Sequence, residues 1–336
     1  MTKKFISLIL ALVLALGCVT AAFAASDSNG FGDYKHVYII GIDGAGAAFE
    51  KVDTPNFDRI FAQNAYRYNA HTEYVTVSAQ NWGSILCGVA YDVHGFTNGY
   101  IGDNERSSDS DNGSIFRYVR QAMPDAELVS FCNWEPISHG IIENDLNVKK
   151  YHRSTDPLVA QAIVHYLNQG NEPTLMFVQF DSVDHAAHSS GGFSKQYYKA
   201  VEKADRYIGE IYDALEKNGL IEDSLFIVVA DHGETTDGHG GQTVEESSAV
   251  VAVAGKSVDN IIIGENIRNR DVAAIALYAL GIEKPAHMTA VVPDGLFGKT
   301  VDKTVAPLEI NGFVKFFRGF CNVFVKAVNL IICIFE

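Results

Sequence analysis

Positive charge, proline and cysteine are all scarce in this sequence. Lys and Arg number 26 against 41 Asp and Glu, a formal net charge of −15. A nucleic-acid binder needs a basic footprint, so no nucleic-acid-binding surface is expected. Eight prolines in 336 residues leave no Pro-rich or low-complexity linker. No internal repeat is present. Five cysteines set up no disulfide framework. Cys18 falls in the N-terminal segment, and Cys321 and Cys333 fall near the C-terminus. Cys87 in an apolar run and Cys132 at the end of a strand-like stretch read as small buried hydrophobes. Charged residues at 20% against 47% hydrophobic are globular values and exclude disorder for most of the chain.

Both ends are distinctive. Residues 1–25 read as a secretory signal: Lys3 and Lys4, an apolar run from Phe5 to Leu16, then the small-x-small site Ala22-Phe23-Ala24. A lipoprotein signal ending at Cys18 is the weaker rival. Losing two lysines and no acids takes the net charge from −15 to −17, and the mature protein is expected outside the cytoplasm, secreted or attached to the outer face of the membrane. Residues 309–336 form the other special segment. From Phe313 to Phe335 the chain is apolar except for Lys315, Arg318, Asn322, Lys326 and Asn329, one narrow stripe on a helix. Peripheral membrane contact through 313–335 and a terminal helix packed on the domain are the two readings.

The body, 26–308, reads as one α/β domain. HVYIIGID (His36 to Asp43), AELVSFC (Ala126 to Cys132), TLMFVQFD (Thr174 to Asp181) and LFIVVAD (Leu225 to Asp231) are buried-strand patterns, and three of them end in an acid. Ser248 to Ala254 and Asn260 to Ile263 are further strand candidates. Helices are expected from Pro55 to about Ala62, from Lys195 to Gly219, and from Asp271 to Leu280. Near-continuous Val/Ile/Phe strands alternating with helices indicate a mostly parallel sheet covered on both faces, with ligands bound beyond the strands' carboxyl ends.

Acids and imidazoles cluster at those ends. Asp181-Ser-Val-Asp184-His185-Ala-Ala-His188 and Asp231-His232-Gly233, followed by His239-Gly240-Gly241, hold four of the 11 histidines. Each buried charge needs a partner, and as metal ligands these groups explain one another. Mixed Asp/His shells suit Zn²⁺, with Mn²⁺ as the alternative. His36, His71, His165 and His287 stand alone and read as solvated or structural. A third stretch begins at Ser78 and runs Ala-Gln-Asn81-Trp-Gly-Ser-Ile-Leu-Cys-Gly88. A helix starting there puts a hydroxyl at an N-terminus that favours a phosphate-like anion. Asn81, one turn on, can aim its amide at the same oxygens. An ordinary serine cap is the plainer reading of Ser78 alone.

Taken together these segments resemble the alkaline phosphatase superfamily, and within it the type I phosphodiesterase/nucleotide pyrophosphatase family, from about Val37 to Phe297. Asp43-Gly44 is similar to its first metal aspartate, and Thr54-Pro55-Asn56-Phe57-Asp58 to its TPNxD helix. Ser78 with Asn81, then Gly88 and His94-Gly95, resembles its nucleophile segment. Asp184, His188 and Gly191 resemble its Asp-x-x-x-His metal pair, and Asp231, His232 and His239 its remaining ligands. Asp181/His185 offers the same spacing in another register. The resemblance implies an alkaline-phosphatase-like sandwich. It also implies two divalent ions: one held by Asp184, His188 and His239, the other by Asp43, Asp231, His232 and the Ser78 oxygen. Ser78 would be the nucleophile and Asn81 a phosphate contact. No Cys-x-Pro-x-Arg follows the nucleophile region, which argues against a sulfatase. No phosphate-clamping arginine is evident, although Arg106 and Arg153 are available.

The expected activity is hydrolysis of a small-molecule phosphate ester, a phosphodiester or nucleotide pyrophosphate, through a phosphoserine. A phosphomonoesterase, a phospho-headgroup transferase and a non-catalytic phospho-ligand binder are the alternatives. Trp134 reads as strand-end packing. Tyr197, Tyr198, Tyr207 and Tyr212 read as one half-buried helix face. The acidic Gly102 to Gly113 stretch lacks EF-hand spacing and reads as a mobile loop at the mouth of the site.

Overall fold

The computed structural model describes residues 31–297. The expected signal segment and the C-terminal 309–336 helix lie outside them. Seven strands form one sheet: β1 (His36–Ile42), β2 (Ala65–His71), β3 (Leu128–Cys132), β4 (Lys149–His152), β5 (Leu175–Phe180), β6 (Ser224–Ala230) and β7 (Ser248–Ala254). Their order is β2-β7-β6-β1-β5-β3-β4. The five strands from β6 to β4 run parallel, and β7 is antiparallel to both β6 and β2.

The helices of seven residues or more are α1 (Pro55–Phe61), α2 (Ser78–Cys87), α3 (Ile115–Ala122), α4 (Asp156–Asn168), α5 (Ser182–Ser190), α6 (Lys195–Lys217) and α7 (Asp271–Ala279). Every residue of β1, β3, β5 and β6 is buried, so their side chains divide between two cores by the strand period of two. Val37 and Ile39 pack with Ile85 of α2 and Leu277 of α7 on one face. Tyr38, Ile40 and Ile42 pack with Val159 of α4 and Ile208 of α6 on the other. Asp205 of α6 accepts from the backbone N–H groups of Asn56 (3.2 Å) and Phe57 (2.7 Å), which tethers the start of α1.

The anticipated central strands form, and the three that close on an acid each end one residue short of it. β2 and β4 were not anticipated. They are the sheet's edges, of mixed polarity (AYRYNAH and KKYH), and carry no apolar run. Asn260 to Ile263 is not a strand. It makes one parallel bridge, Ile262 to Tyr66, along the outer edge of β2. Cys87 and Cys132 are free and buried. No helix among the described residues is long and apolar enough to cross a membrane.

Candidate active site

The parallel register assembles the site. Ile42 pairs with Phe180 of β5 and with Ala230 of β6. The residues that follow, Asp43, Asp181 and Asp231, therefore leave the sheet side by side.

Asp43 is 1% exposed. Its Oδ2 accepts from Trp82 Nε1 and from Gln179 Nε2, both at 2.9 Å. Its Oδ1 has no hydrogen-bond partner and lies 3.6 Å from His232 Nε2. Asp231 repeats the pattern. Oδ1 accepts from the backbone N–H of Gly44 (3.0 Å) and of His232 (2.8 Å). Oδ2 has no hydrogen-bond partner and faces His232 Nε2 at 3.2 Å. Each carboxylate is thus anchored by one oxygen and offers the other. Ser78 is the first residue of α2, after the extended Val77. Its Oγ is 3.3 Å from the same His232 Nε2.

The second group lies on α5. Asp184 sits in its first turn and His188 in its last, with Asp184 Oδ2 3.3 Å from His188 Nε2. His239 Nε2 lies 3.4 Å from Asp184 Oδ1 and 3.1 Å from His188 Nε2. The Thr76 carbonyl fixes this ring, lying 2.6 Å from Nδ1, so the Nε2 lone pair points at Asp184. The His239 ring also stacks on His232 at 3.9 Å. Asp184 and His188, not Asp181 and His185, make these contacts. His185 is exposed, and Asp181 accepts from Gln179 Nε2 at 3.2 Å.

The close approach of α5 to β1 depends on Gly44. Its φ is +67°, and a Cβ there would sit 2.8 Å from Asp184 Cα. Gly41 serves in the same way, since its Cβ would meet the Trp82 ring at 2.4 Å. Tyr197 of α6 ties down the turn between them by donating to the carbonyls of Gly44 (2.9 Å) and Ala45 (3.1 Å).

The electrostatics call for cations. Burial and the mutual repulsion of the acids hold the Asp43 and Asp231 carboxyls well above the carboxylate range. Burial also pushes Asp184 up, but His188, His239 and His232 outweigh it and hold that carboxyl low. Burial lowers His232 and His239, leaving neutral imidazoles able to ligate. Among the described residues no Lys or Arg forms an ion pair with Asp43, Asp184 or Asp231; their ion-pair partners are histidines. Buried carboxylate oxygens without partners beside neutral imidazoles fit divalent ions.

Asn81 is used differently from the expectation. It is fully buried. Its Oδ1 accepts from Glu73 N (2.8 Å) and Asn269 Nδ2 (3.0 Å), and its Nδ2 donates to the carbonyls of Val75 (2.9 Å) and Val77 (3.1 Å). All its capacity is spent bracing the turn before Ser78. Asn98 stands at the head of α2 instead, with its Oδ1 accepting from Ala79 N at 3.1 Å. Neither arginine clamps the site. Arg106 donates to the carbonyls of Ile141 (3.1 Å) and Asn112 (2.5 Å). Arg153 donates to the His152 carbonyl at 2.7 Å beside β4. The Gly102 to Gly113 stretch, expected to be loose, is pinned by Arg106 and by Arg117, which donates to the Ser110 carbonyl at 2.7 Å and pairs with buried Glu143.

Sequence reasoning missed Trp82, Gln179, Asn98, Thr76 and Glu234. Gln179 carried a signal, as the one polar residue in the run LMFVQF of β5. The others are set by tertiary contacts.

The described fold is that of an alkaline-phosphatase-like sandwich, with the site at the carboxyl ends of its parallel strands. The chain belongs to the type I phosphodiesterase/nucleotide pyrophosphatase family, whose sequence pattern matches residues 37–245. It is 24% identical over 324 residues to GPI ethanolamine phosphate transferase 1 of Saccharomyces cerevisiae, covering 81% of this chain and 35% of that protein. It is 22% identical over 260 residues to the human ectonucleotide pyrophosphatase/phosphodiesterase family member 7, covering 70% of this chain and 56% of that one. The chain therefore spans between about a third and just over half of these curated relatives. Murine ectonucleotide pyrophosphatase/phosphodiesterase 5, solved as an inactive variant with AMP, shares the fold with a TM-score of 0.60 and 12% identity. That match covers 76% of this chain and 96% of the murine one.

Proposed function

We propose that this chain is an extracytoplasmic two-metal phosphodiesterase that cleaves phosphodiesters or nucleotide pyrophosphates through a phosphoserine on Ser78. The observation that carries this reading is the position of the Ser78 hydroxyl. It lies at the first turn of a helix and 3.3 Å from His232 Nε2, where the Asp43/Asp231/His232 ligands meet. Asp43, Asp231 and His232, with Ser78, would hold one ion, and Asp184, His188 and His239 the other. The mixed nitrogen and oxygen donors suit Zn²⁺, then Mn²⁺. Such ions supply Lewis-acid charge that lowers the serine pKa and neutralises the leaving oxygen.

The chain's own groups do the rest. Ser78 Oγ attacks phosphorus, and the bond to the leaving oxygen on the opposite side breaks. Water then attacks the phosphoserine and returns the free hydroxyl. The first turn of α2 faces the non-bridging oxygens, with Asn98 in the role first expected of Asn81. Asp43 and Asp231 keep their geometry because Trp82, Gln179 and the Gly44 amide hold their other oxygens. A dianionic monoester gains from an extra cation. Arg106 and Arg153 are engaged elsewhere, which favours the monoanionic diester.

A second reading, transfer of a phospho-headgroup to an alcohol, is supported by the match to the yeast ethanolamine phosphate transferase. The same phosphoserine would then yield to an acceptor hydroxyl instead of water. Contact of 313–335 with a membrane would suit either reading.

The test is steady-state turnover of bis-p-nitrophenyl phosphate and p-nitrophenyl phosphate by metal-loaded, chelated and Ser78→Ala protein, with and without ethanolamine or glycerol. Metal-dependent diester hydrolysis lost in Ser78→Ala is the expected result. Preference for the monoester would overturn the diester reading. The p-nitrophenyl phosphodiester of ethanolamine or glycerol, formed from the diester, as the main product would move the assignment to a transferase. Full activity in Ser78→Ala would remove the nucleophile.

A further inference from the structure

Glu234 follows His232-Gly233 and is 1% exposed. Nine carboxylates are buried among the described residues: Asp43, Glu73, Glu143, Asp156, Asp205, Asp231, Glu234, Glu246 and Asp271. Glu234 differs from the other eight in that both of its oxygens are without a hydrogen-bond partner. The contrast with its neighbours is sharp. Asp156 accepts from Asn133 Nδ2, Asp181 N and Ser182 N. Glu143 accepts from Ser114 and Arg117. Glu246 accepts from the backbone N–H groups of Gly241 and Thr243.

The Glu234 side chain is also held in place. A Cβ on Gly44 would lie 3.0 Å from its Oε1, and one on Gly192 would lie 2.8 Å from its Cβ. Two glycines thus make the slot in which it lies. Oε1 is 4.0 Å from His232 Nδ1. One ligand atom from each of Asp184, His232, Glu234 and His239 can be chosen so that all lie within 4.8 Å of one another. No Lys or Arg among the described residues pairs with Glu234. A carboxylate confined this way beside Asp184, with no Lys or Arg to pair it, is stabilised as the anion by a bound cation.

We propose that Glu234 is an additional metal ligand, its carboxylate joining Asp184, His188 and His239 around the ion on the α5 side. This rests on the two-metal reading above and goes beyond the ligand set expected from the sequence. It gives that side two carboxylates and two imidazoles, a donor set that shifts preference from Zn²⁺ towards Mn²⁺. It also brings four carboxylates, Asp43, Asp184, Asp231 and Glu234, to two divalent ions, so the charges of ligands and ions balance.

The test compares full-length wild type with Glu234→Gln, which keeps the shape and removes the charge. Zn²⁺ and Mn²⁺ are titrated by competition against a chromogenic chelator, and bound metal per chain is counted after dialysis. Wild type is expected to hold two ions. Glu234→Gln is expected to hold one unchanged and the other at least about tenfold more weakly, with the larger loss for Mn²⁺. Two ions bound within threefold of wild type would overturn the proposal and leave the two-metal reading intact. Failure of wild type itself to bind two ions would overturn both. A crystal of wild type soaked with Mn²⁺ covers a variant that does not fold. An anomalous peak about 2.0–2.3 Å from a Glu234 oxygen is the expected result, and a peak beyond about 4 Å overturns the assignment.

Discussion

Trp82→Phe tests how the buried core tunes the site. Trp82 has no exposed surface and packs edge-on against Phe177 at 5.6 Å. Its indole N–H donates to Asp43 Oδ2 at 2.9 Å. Phenylalanine keeps much of the packing and deletes that donor. A hydrogen bond to a charged acceptor contributes about 1.5–3 kcal/mol, or one to two orders of magnitude in affinity. Gln179 still donates to the same oxygen, so the lower end applies: about tenfold weaker binding of the ion held by Asp43, Asp231 and His232. The α5-side ion should be unaffected. The smaller ring also leaves a void costing about 1–3 kcal/mol, which melting of the metal-free protein reports separately. Ile85→Ala, buried on the same helix and without a bond to Asp43, is the control: it should lose stability and keep metal affinity. The assay is a two-site calorimetric titration. Both ions binding to Trp82→Phe within threefold of wild type would refute the reasoning that Asp43 is aimed by its indole partner.

Other outcomes follow from the same geometry. Asn98→Ala should lower kcat/KM for a diester by about 10²–10³-fold with little change in melting, whereas Asn81→Ala, which strands Glu73 N and Asn269, should cost about 2–4 kcal/mol of stability; the reverse pattern would restore Asn81 as the phosphate contact. Chelation should lower the melting temperature, since an ion present at 100 times its Kd adds about 2.7 kcal/mol, and an unchanged melt on chelation would count against a metal centre. Burial pushes the Asp271 carboxyl up from 3.8 to about 6. The folded chain then keeps a proton that the unfolded chain has released, so this contribution is present at low pH and lost as pH rises towards 6. Chemical denaturation between these values should show stability falling by about 1.4 kcal/mol per pH unit from this group. Asp271→Asn should remove that slope, and an unchanged slope would refute the assignment.

The sequence by itself determined the sheet's centre and the chemistry at its edge. Four apolar runs could only be buried strands, because no amphipathic period offers them a wet face. The acids closing three of them had to emerge together once those strands ran parallel. The histidine clusters followed the same strand ends, and residues 31–297 fold as the one sandwich that these patterns imply. The polar edges β2 and β4 left no such pattern, and a four-residue strand such as KKYH is set by its neighbour's open hydrogen bonds. Of two equally spaced pairs, Gly191 already pointed to Asp184 and His188; the tertiary structure supplies the physical reason they face His239, because α5 starts one residue after Asp181 and its turn carries both to one side. It also decided how the two asparagines near Ser78 are used. Local spacing put Asn81 one turn from Ser78, but Asn269 and the 73–77 turn, folded back from elsewhere in the chain, consume its amide. Asn98 reaches the same helix end across twenty residues that no local period connects. Glu234 is the clearest case: next to a motif its letter means little, and only its burial without a partner gives it a role.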